Sequence, residues 1–206
     1  MSPDPNRFEP FPRLTSARLE LRDLEPDDAE VMFRLGADPQ VLRYLGRDGY
    51  ASIDDARRRM AELDGWRRAG QSIRWVMVAR ADLADAVPPP AGLAMGTVSL
   101  WHFDDAGRSA EVGYDLLPEH WGRGYASEAV LAAVTFAFER LGLHRVQAQI
   151  DPANVASARV LEKVGFAREG HLRENWHHAG VFTDSVIFGL LDREHAARRA
   201  ASERAR

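Results

Sequence analysis

The sequence predicts a mixed α/β fold in one domain, a mostly antiparallel central sheet with helices on both faces. Three observations carry that expectation. From Ser109 to Leu117 the chain alternates, so that Ala110, Val112, Tyr114 and Leu116 share one face of a strand. From Ala126 to Leu141 apolar residues recur at three- and four-residue steps, the period of a helix buried along one stripe. Strand signals in the middle of the chain are joined by short turns, which calls for antiparallel neighbours. The strand-helix-strand unit after them is locally parallel.

Residues 1–13 are rich in Pro and polar side chains and read as a loose arm; 14–191 read as the domain, and 192–206 as a charged, Ala/Arg-rich tail that forms a frayed helix. Leu19 and Leu21 mark a short strand. Pro26, Asp27 and Asp28 open a helix running to about Leu35, since proline needs no amide partner in a first turn and acids favour the positive helix end. Ser52 with Asp55 opens a second helix, to about Ala69. Ile73–Arg80 and Leu93–Leu100 read as strands, separated by the exposed loop Val87-Pro88-Pro89-Pro90. Asp104-Asp105-Ala106-Gly107 is a turn before the alternating strand. Gly142 stops the long helix. A strand over Arg145–Asp151, a helix over Asn154–Val164 closed by Gly165, and strands over Phe166–Glu174 and Phe182–Leu191 complete the core.

The 206 residues suffice for one sizeable core, and 45% apolar with 28% charged residues is ordinary for a soluble protein. A net charge of −4 gives no basic surface for nucleic acid, so a bound anion must be held by local donors. The chain has no cysteine, which excludes disulfides, thiolate metal sites and an acyl-cysteine intermediate. No apolar run approaches the ~20 residues of a membrane span, and the amino terminus lacks a signal-peptide pattern. A cytoplasmic protein without membrane partners is the simplest reading.

Between the alternating strand and the long helix stand Gly122 and Gly124. Glycines there let amides approach a ligand closely, and the helix behind them presents free amides and a positive dipole end. Arg123 adds a charge and Ser127 a hydroxyl. The bland alternative is a tight turn. A Rossmann loop is disfavoured because Pro118–Trp121 intervene and the strand carries Glu111 and Asp115, whereas such strands are buried on both faces. A P-loop is excluded, because no Gly-Lys-Ser/Thr follows.

Further motifs give the loop a context. Glu111-Val112-Gly113-Tyr114 precedes Trp121-Gly122-Arg123-Gly124-Tyr125-Ala126-Ser127-Glu128-Ala129; then come Asn154-x-x-Ser157, Glu162-Lys163-Val164-Gly165-Phe166 and Gly170-His171-Leu172-Arg173, with Gly180 and Asp184 near the end. In this order and spacing, together with Arg18-Leu19-x-Leu21-Arg22, they resemble the GNAT superfamily of N-acetyltransferases. The likeness is greatest to the branch of the ribosomal-protein N-terminal acetyltransferases, and it covers most of residues 14–191. Trp121 departs from the pattern, standing where polar residues are common.

The resemblance implies a GNAT-type sheet with one splayed strand pair and acetyl-CoA as co-substrate. It implies that Tyr114, Asp115, Leu116 and Leu117 pair with the pantetheine arm through their backbone. The amides of Gly122, Arg123, Gly124, Tyr125, Ala126 and Ser127 then hold the pyrophosphate. Asn154 bonds the pantetheine region, Ser157 lies near the sulfur to protonate the leaving thiolate, and Arg159 or Lys163 meets the ribose phosphate. A homodimer is common in this branch.

The chemistry narrows the acceptor side. Without cysteine, direct attack of an amine on the thioester in a ternary complex is the economical mechanism, although a non-catalytic acyl-CoA-binding module has the same motifs. A lysine amine, with pKa ~10.4, is neutral only ~0.04% of the time at pH 7, a deficit of ~4.6 kcal/mol; an α-amine near pKa ~8 is ~10% neutral, a deficit of ~1.4 kcal/mol. Glu111 is the first candidate base, on the strand face opposite Val112, with Glu169 and Glu174 as alternatives. His177-His178 lack metal-ligand spacing and read as solvent-facing loop residues. Arg57-Arg58-Arg59 and Arg67-Arg68 read as a solvated helix face; the resemblance implies that the early helices wall the acceptor site, which leaves acidic substrates or partners as the alternative. Trp66, Trp75, Trp101 and Trp176 read as core or cleft lining.

Overall fold

The computed structural model describes residues 4–80, 90–104, 106 and 108–204. Its sheet contains β1 (Leu14–Thr15), β2 (Leu19–Arg22), β3 (Ile73–Ala79), β4 (Ala94–Trp101), β5 (Ser109–Leu116), β6 (Arg145–Ile150), β7 (Ala167–His178) and β8 (Val181–Leu191). The lateral order is β1-β2-β3-β4-β5-β6-β8-β7, antiparallel except for β5 beside β6. The helices are α1 (Ala29–Ala37), α2 (Pro39–Leu42), α3 (Ile53–Arg68), α4 (Tyr125–Glu139), α5 (Val155–Val164) and α6 (Asp192–Arg204). α1 and α3 cover one face of the sheet, and α4 and α5 the other.

The two faces differ in chemistry because strand side chains alternate. Trp75, Val98 and Tyr114 are register partners, as are Ile73, Leu100 and Val112, so they project to one side. There they meet Ala129, Val130, Ala133 and Val134 of α4 in the main core. The opposite face carries the row Arg74, Ser99 and Gly113 and, one step along, Thr97 beside Asp115. This polar row lies in the middle of the sheet under α1 and α3.

Several boundaries differ from the sequence reading. The helix expected from Pro26 begins as a 3-10 turn over Pro26–Asp28 before α1. α2 is an additional helix, with Pro39 in its first turn and the Asp38 carboxylate accepting from the Gln40 amide at 2.7 Å. β7 continues four residues past Glu174, so His177 and His178 lie on a strand instead of a loop, paired with Phe182 and Val181. Ala179 and Gly180 both have positive φ, the geometry of a two-residue hairpin turn. The polar run from Arg173 to His178 has no apolar alternation to betray it. Val87, Pro88, Pro89, Asp105 and Gly107 lie outside the described residues.

The segment from Phe8 to Pro12 is packed where the sequence suggested looseness, and α6 is anchored at one residue with the rest of the helix largely exposed. Phe8 is 1% exposed, the Trp75 indole donates to the Pro12 carbonyl at 2.7 Å, and Arg67 pairs with Glu9 and Asp64. Arg67 is therefore half-buried in an ion-pair network, whereas Arg57, Arg58 and Arg68 are exposed as a solvated face. α6 is docked through His195, 3% exposed, whose Nε2 lies 3.1 Å from Thr135 Oγ1 on α4.

Burial, with Arg199 nearby, holds the His195 pKa below the ordinary histidine value; burial does the same to His120. The unfolded chain therefore takes up these protons at higher pH than the fold does. Their stability contribution is complete above the ordinary histidine pKa of ~6.5 and is lost as pH falls through it. Lowering pH from about 7.5 to about 5.5, above the carboxylate range, reduces the urea midpoint, and His195→Gln removes part of that dependence. A flat midpoint over that interval in the parent protein contradicts this assignment.

Candidate active site

β5 and β6 are held together at three registered pairs, Ser109 with Arg145, Ala110 with Val146 and Glu111 with Gln147. Beyond them β5 continues to Leu116 and β6 to Ile150 without pairing, and the two strands open a wedge. The Leu117 amide donates to the Met95 carbonyl at 2.9 Å. By the alternation of an antiparallel ladder, Asp115 and Leu117 then turn their backbone groups toward β4. Tyr114 and Leu116 turn theirs into the wedge. The Leu116 carbonyl is taken by the Trp121 indole at 2.7 Å, leaving Tyr114 as the main exposed rung. Of the four residues expected to offer backbone to an extended ligand, two face the wrong way and one carbonyl is occupied.

A cavity of about 870 Å3 runs from the wedge to the α1–α3 side. Glu111, Tyr114, Asp115, Asn154 and Ser157 all line it. The Glu111 side chain is 15% exposed and its Oε2 lies 3.2 Å from His102 Nδ1. The two alternative bases lie elsewhere. Glu169 is bound by Arg145, which holds its carboxyl below the usual range, and Glu174 is exposed on β7 with its amide given to Asp184. Asp115 accepts from Thr97 Oγ1 and lies 3.7 Å from Arg74 Nη1.

On the other wall of the wedge, Asn154 caps α5: its Oδ1 accepts from the Ser157 amide at 3.1 Å. The Tyr114 hydroxyl donates to the Ser157 carbonyl at 3.1 Å and lies 2.8 Å from Ser157 Oγ. Burial pushes the Tyr114 phenol well above its ordinary pKa, so it stays protonated at every physiological pH. The sequence presented Tyr114 as a backbone rung; its phenol beside Ser157 depends on a contact between residues 43 apart.

The glycine loop sits at the wedge's far end. Gly124 caps α4 with φ 83°, and Gly122 has φ 73°. The Glu128 amide bonds back to the Gly124 carbonyl at 3.1 Å, so the helix starts at Tyr125 with its positive end at the loop. Tyr125 and Ser127 are buried, so backbone and not side chain is what they offer. Three cationic residues gather here. Arg18 donates to the Arg123 carbonyl at 3.0 Å and to Glu128 at 2.9 Å, and a Cβ on Gly124 would lie 3.3 Å from Arg18 and 3.8 Å from Lys163 Nζ. Arg18, just before β2, entered the sequence reading only as part of the first-strand motif and not as a cation of this loop. Arg159 is exposed one helical turn before Lys163. A helix amino terminus opened by two positive-φ glycines and ringed by cations fits a diphosphate, even though the chain is acidic overall.

Besides Trp121, Trp75 is core, Trp101 lies over Gly113 in the cavity, Trp176 lines the same cavity half-exposed, and Trp66 lines a second cavity beside it. Among the described residues no cluster of three or more His, Asp or Glu is placed to hold a metal, and no helix is long and apolar enough to cross a membrane.

A family model described as an acetyltransferase (GNAT) domain matches residues 18–167. An uncharacterized N-acetyltransferase of Bacillus licheniformis, p20, is 33% identical, over 89% of this chain and 98% of that protein. The spermidine N(1)-acetyltransferase of Vibrio cholerae is 27% identical, over 89% of this chain and 98% of its own length. Among solved structures, Mycobacterium smegmatis RimJ in complex with CoA-disulfide superposes with a TM-score of 0.77 at 21% identity, covering 94% of this chain and 95% of that one.

Proposed function

The chain belongs to the GNAT acetyltransferase family and is an acetyl-CoA-dependent N-acetyltransferase; on that premise we propose that acetyl transfer takes place in the β5–β6 wedge, on a primary amine entering from the α1–α3 side. The observation that carries this reading is the parting of β5 from β6 beyond Glu111, with the glycine loop at one end and a cavity through the middle. Bound acetyl-CoA supplies the activated acetyl group. The amides from Gly122 to Ser127, with Arg18, Arg123 and Lys163 around them, hold the diphosphate, and the Tyr114 backbone aligns the extended arm.

Glu111 accepts the proton of the attacking amine, directly or through one water. His102 at 3.2 Å orients that carboxylate. The Tyr114–Ser157 hydroxyl pair passes a proton to the departing sulfur and regains one from solvent, to which Glu111 in turn releases the amine's proton, and Asn154 fixes Ser157 by holding its amide. The acceptor class that fits best is an α-amine, including a protein amino terminus, because the ~1.4 kcal/mol needed to deprotonate it is within reach of one carboxylate. A homodimer belongs to the same reading: β7 is an outer strand, and Leu172, Val181 and Phe182 are exposed on the β7–β8 hairpin. Light scattering reads it directly.

The test is thiol release from acetyl-CoA with an α-amine acceptor, across pH. Glu111→Gln lowers kcat/KM about ten-fold near pH 7, the factor set by the ~10% neutral amine, and the deficit closes toward pH 9 as the amine deprotonates unaided. A pH-independent deficit removes Glu111 from the role of base, and no thiol release with any amine overturns the reaction assigned to the wedge.

A further inference from the structure

The polar row on the α1–α3 face contains one feature that amide transfer itself does not use. Arg74 projects from β3 between two cavities, of about 870 and 690 Å3, which share Arg59, Arg74, Ser99, Trp101 and His102 as a common wall. Its Nη1 donates to Thr97 Oγ1 at 2.7 Å, and the carboxylate facing it, Asp115, is 3.7 Å away and already accepts from Thr97. Its Nε is inaccessible to solvent and has no hydrogen-bond partner. A buried charged donor left unmade is costly, and such groups mark places where something polar is received.

The surroundings strengthen the imbalance. Arg43, Arg47 and Arg59 also line the first cavity, and Arg7 the second, where its Nη1 is likewise buried without a partner. Arg59 stacks on Trp66 at 4.4 Å and pairs with Glu62 at 3.0 Å, and Arg7 stacks on Phe103 at 4.6 Å, an aromatic setting that holds guanidinium groups in place. The acids of these cavities are engaged. Asp4 caps the Asn6 amide, Asp104 takes the Arg108 and Ser109 amides, Asp151 takes the Ala153 amide, Asp184 holds His171 and the Glu174 amide, and Glu111 faces His102. Burial lowers the Arg74 pKa against the opposing pull of Asp115, and the Arg59 and Arg47 charges act in the direction of burial.

Resting on the acetyltransferase reading above, we infer that the acceptor is an anionic amine, whose carboxylate is received by Arg74 with Arg59 while its amino group meets the thioester at the wedge. The register sets the scale. Arg74, Ser99 and Gly113 lie side by side on β3, β4 and β5, two strand spacings or about 10 Å apart at the backbone, and the long arginine side chain shortens that span. A side-chain carboxylate of an acidic amino acid, free or near a peptide amino terminus, meets that requirement. A polyamine brings positive charge against Arg74, Arg59, Arg47 and Arg43 and makes the poorer acceptor.

Thiol release with matched acceptors tests this: Ala-Glu amide against Ala-Gln amide, free glutamate against free glutamine, and spermidine. The wild-type protein prefers the acidic dipeptide over its neutral isostere by at least ~10-fold in kcat/KM, as expected for a hydrogen bond between charged groups, and spermidine is the poorest acceptor. The two acidic arms separate a peptide terminus from a free amino acid. In Arg74→Met the acidic-to-neutral ratio falls toward one through KM, and Arg74→Lys recovers part of it. Arg59→Met, at a more exposed position, lowers the ratio as well and guards against a folding defect in the Arg74 variants, for which coenzyme affinity by calorimetry is the second check. A ratio of one in the wild type, preference for spermidine, or an unchanged ratio in Arg74→Met overturns the inference. If no acceptor releases thiol, the reaction assignment has failed instead. Calorimetric binding of Ala-Glu amide to the CoA complex then decides this inference separately: Arg74-dependent binding upholds it and its absence overturns it.

Discussion

Gly124→Asp lowers coenzyme A affinity by about 100-fold, an increment of about 2.7 kcal/mol. Two effects add. Gly124 stands at φ 83°, where a side chain is strained by about 1–2 kcal/mol, so the amides that follow shift. The new carboxylate also lands beside Arg18 and Lys163, neutralising the cations and placing a negative charge where the diphosphate belongs. Gly124→Ala separates the two, because it carries the strain without the charge and should cost about ten-fold. Calorimetric titration of each variant with coenzyme A reads the difference. Near-normal affinity in Gly124→Asp would show that the diphosphate is held elsewhere.

Trp75→Ala destabilises the fold by about 3–5 kcal/mol, a large share of the ~5–15 kcal/mol that holds a domain together. Trp75 is fully buried on the central strand β3, edge-on to Phe136 of α4 at 5.5 Å and to Phe11 of the amino-terminal segment at 6.3 Å. Removing the indole opens a cavity between sheet and helix and leaves the Pro12 carbonyl without its donor. Urea unfolding measures the loss. Limited proteolysis adds a local readout, with cleavage between Phe8 and Leu14 appearing in the variant before the domain unfolds. A loss under about 1 kcal/mol would mean that the site repacks.

What the sequence made legible follows from the range of the forces involved. β5 and α4 were readable because their periods, two and 3.6 residues, are written locally in which residues are apolar. The glycine loop was readable because positive φ is a demand on single positions, met at Gly122 and Gly124. The docking of Phe8, the reach of β7 to His178 and the seating of His195 were not readable, since each is decided by a partner far along the chain. The site divides in the same way. Glu111, Asn154 and Ser157 were found from short motifs and do line one cavity. Arg18 at the loop and Arg74 across the sheet were missed, because lateral register, not spacing, brings them there.

The parting of β5 from β6 also has a mechanical side. Five strands lie to one side of that joint and three to the other. The joint has three registered pairs, whereas β4–β5 and β6–β8 have six each. The sheet is thus two rafts lashed at one end, with a notch whose tip lies at Glu111 and Gln147. Stress concentrates at a notch tip, so local opening begins there and amides near Val112 and Ala148 exchange with solvent earlier than their burial alone would suggest. An extended molecule seated in the notch works as a splint. It bridges the rafts along the length where protein pairing stops, and the whole sheet stiffens for as long as it stays.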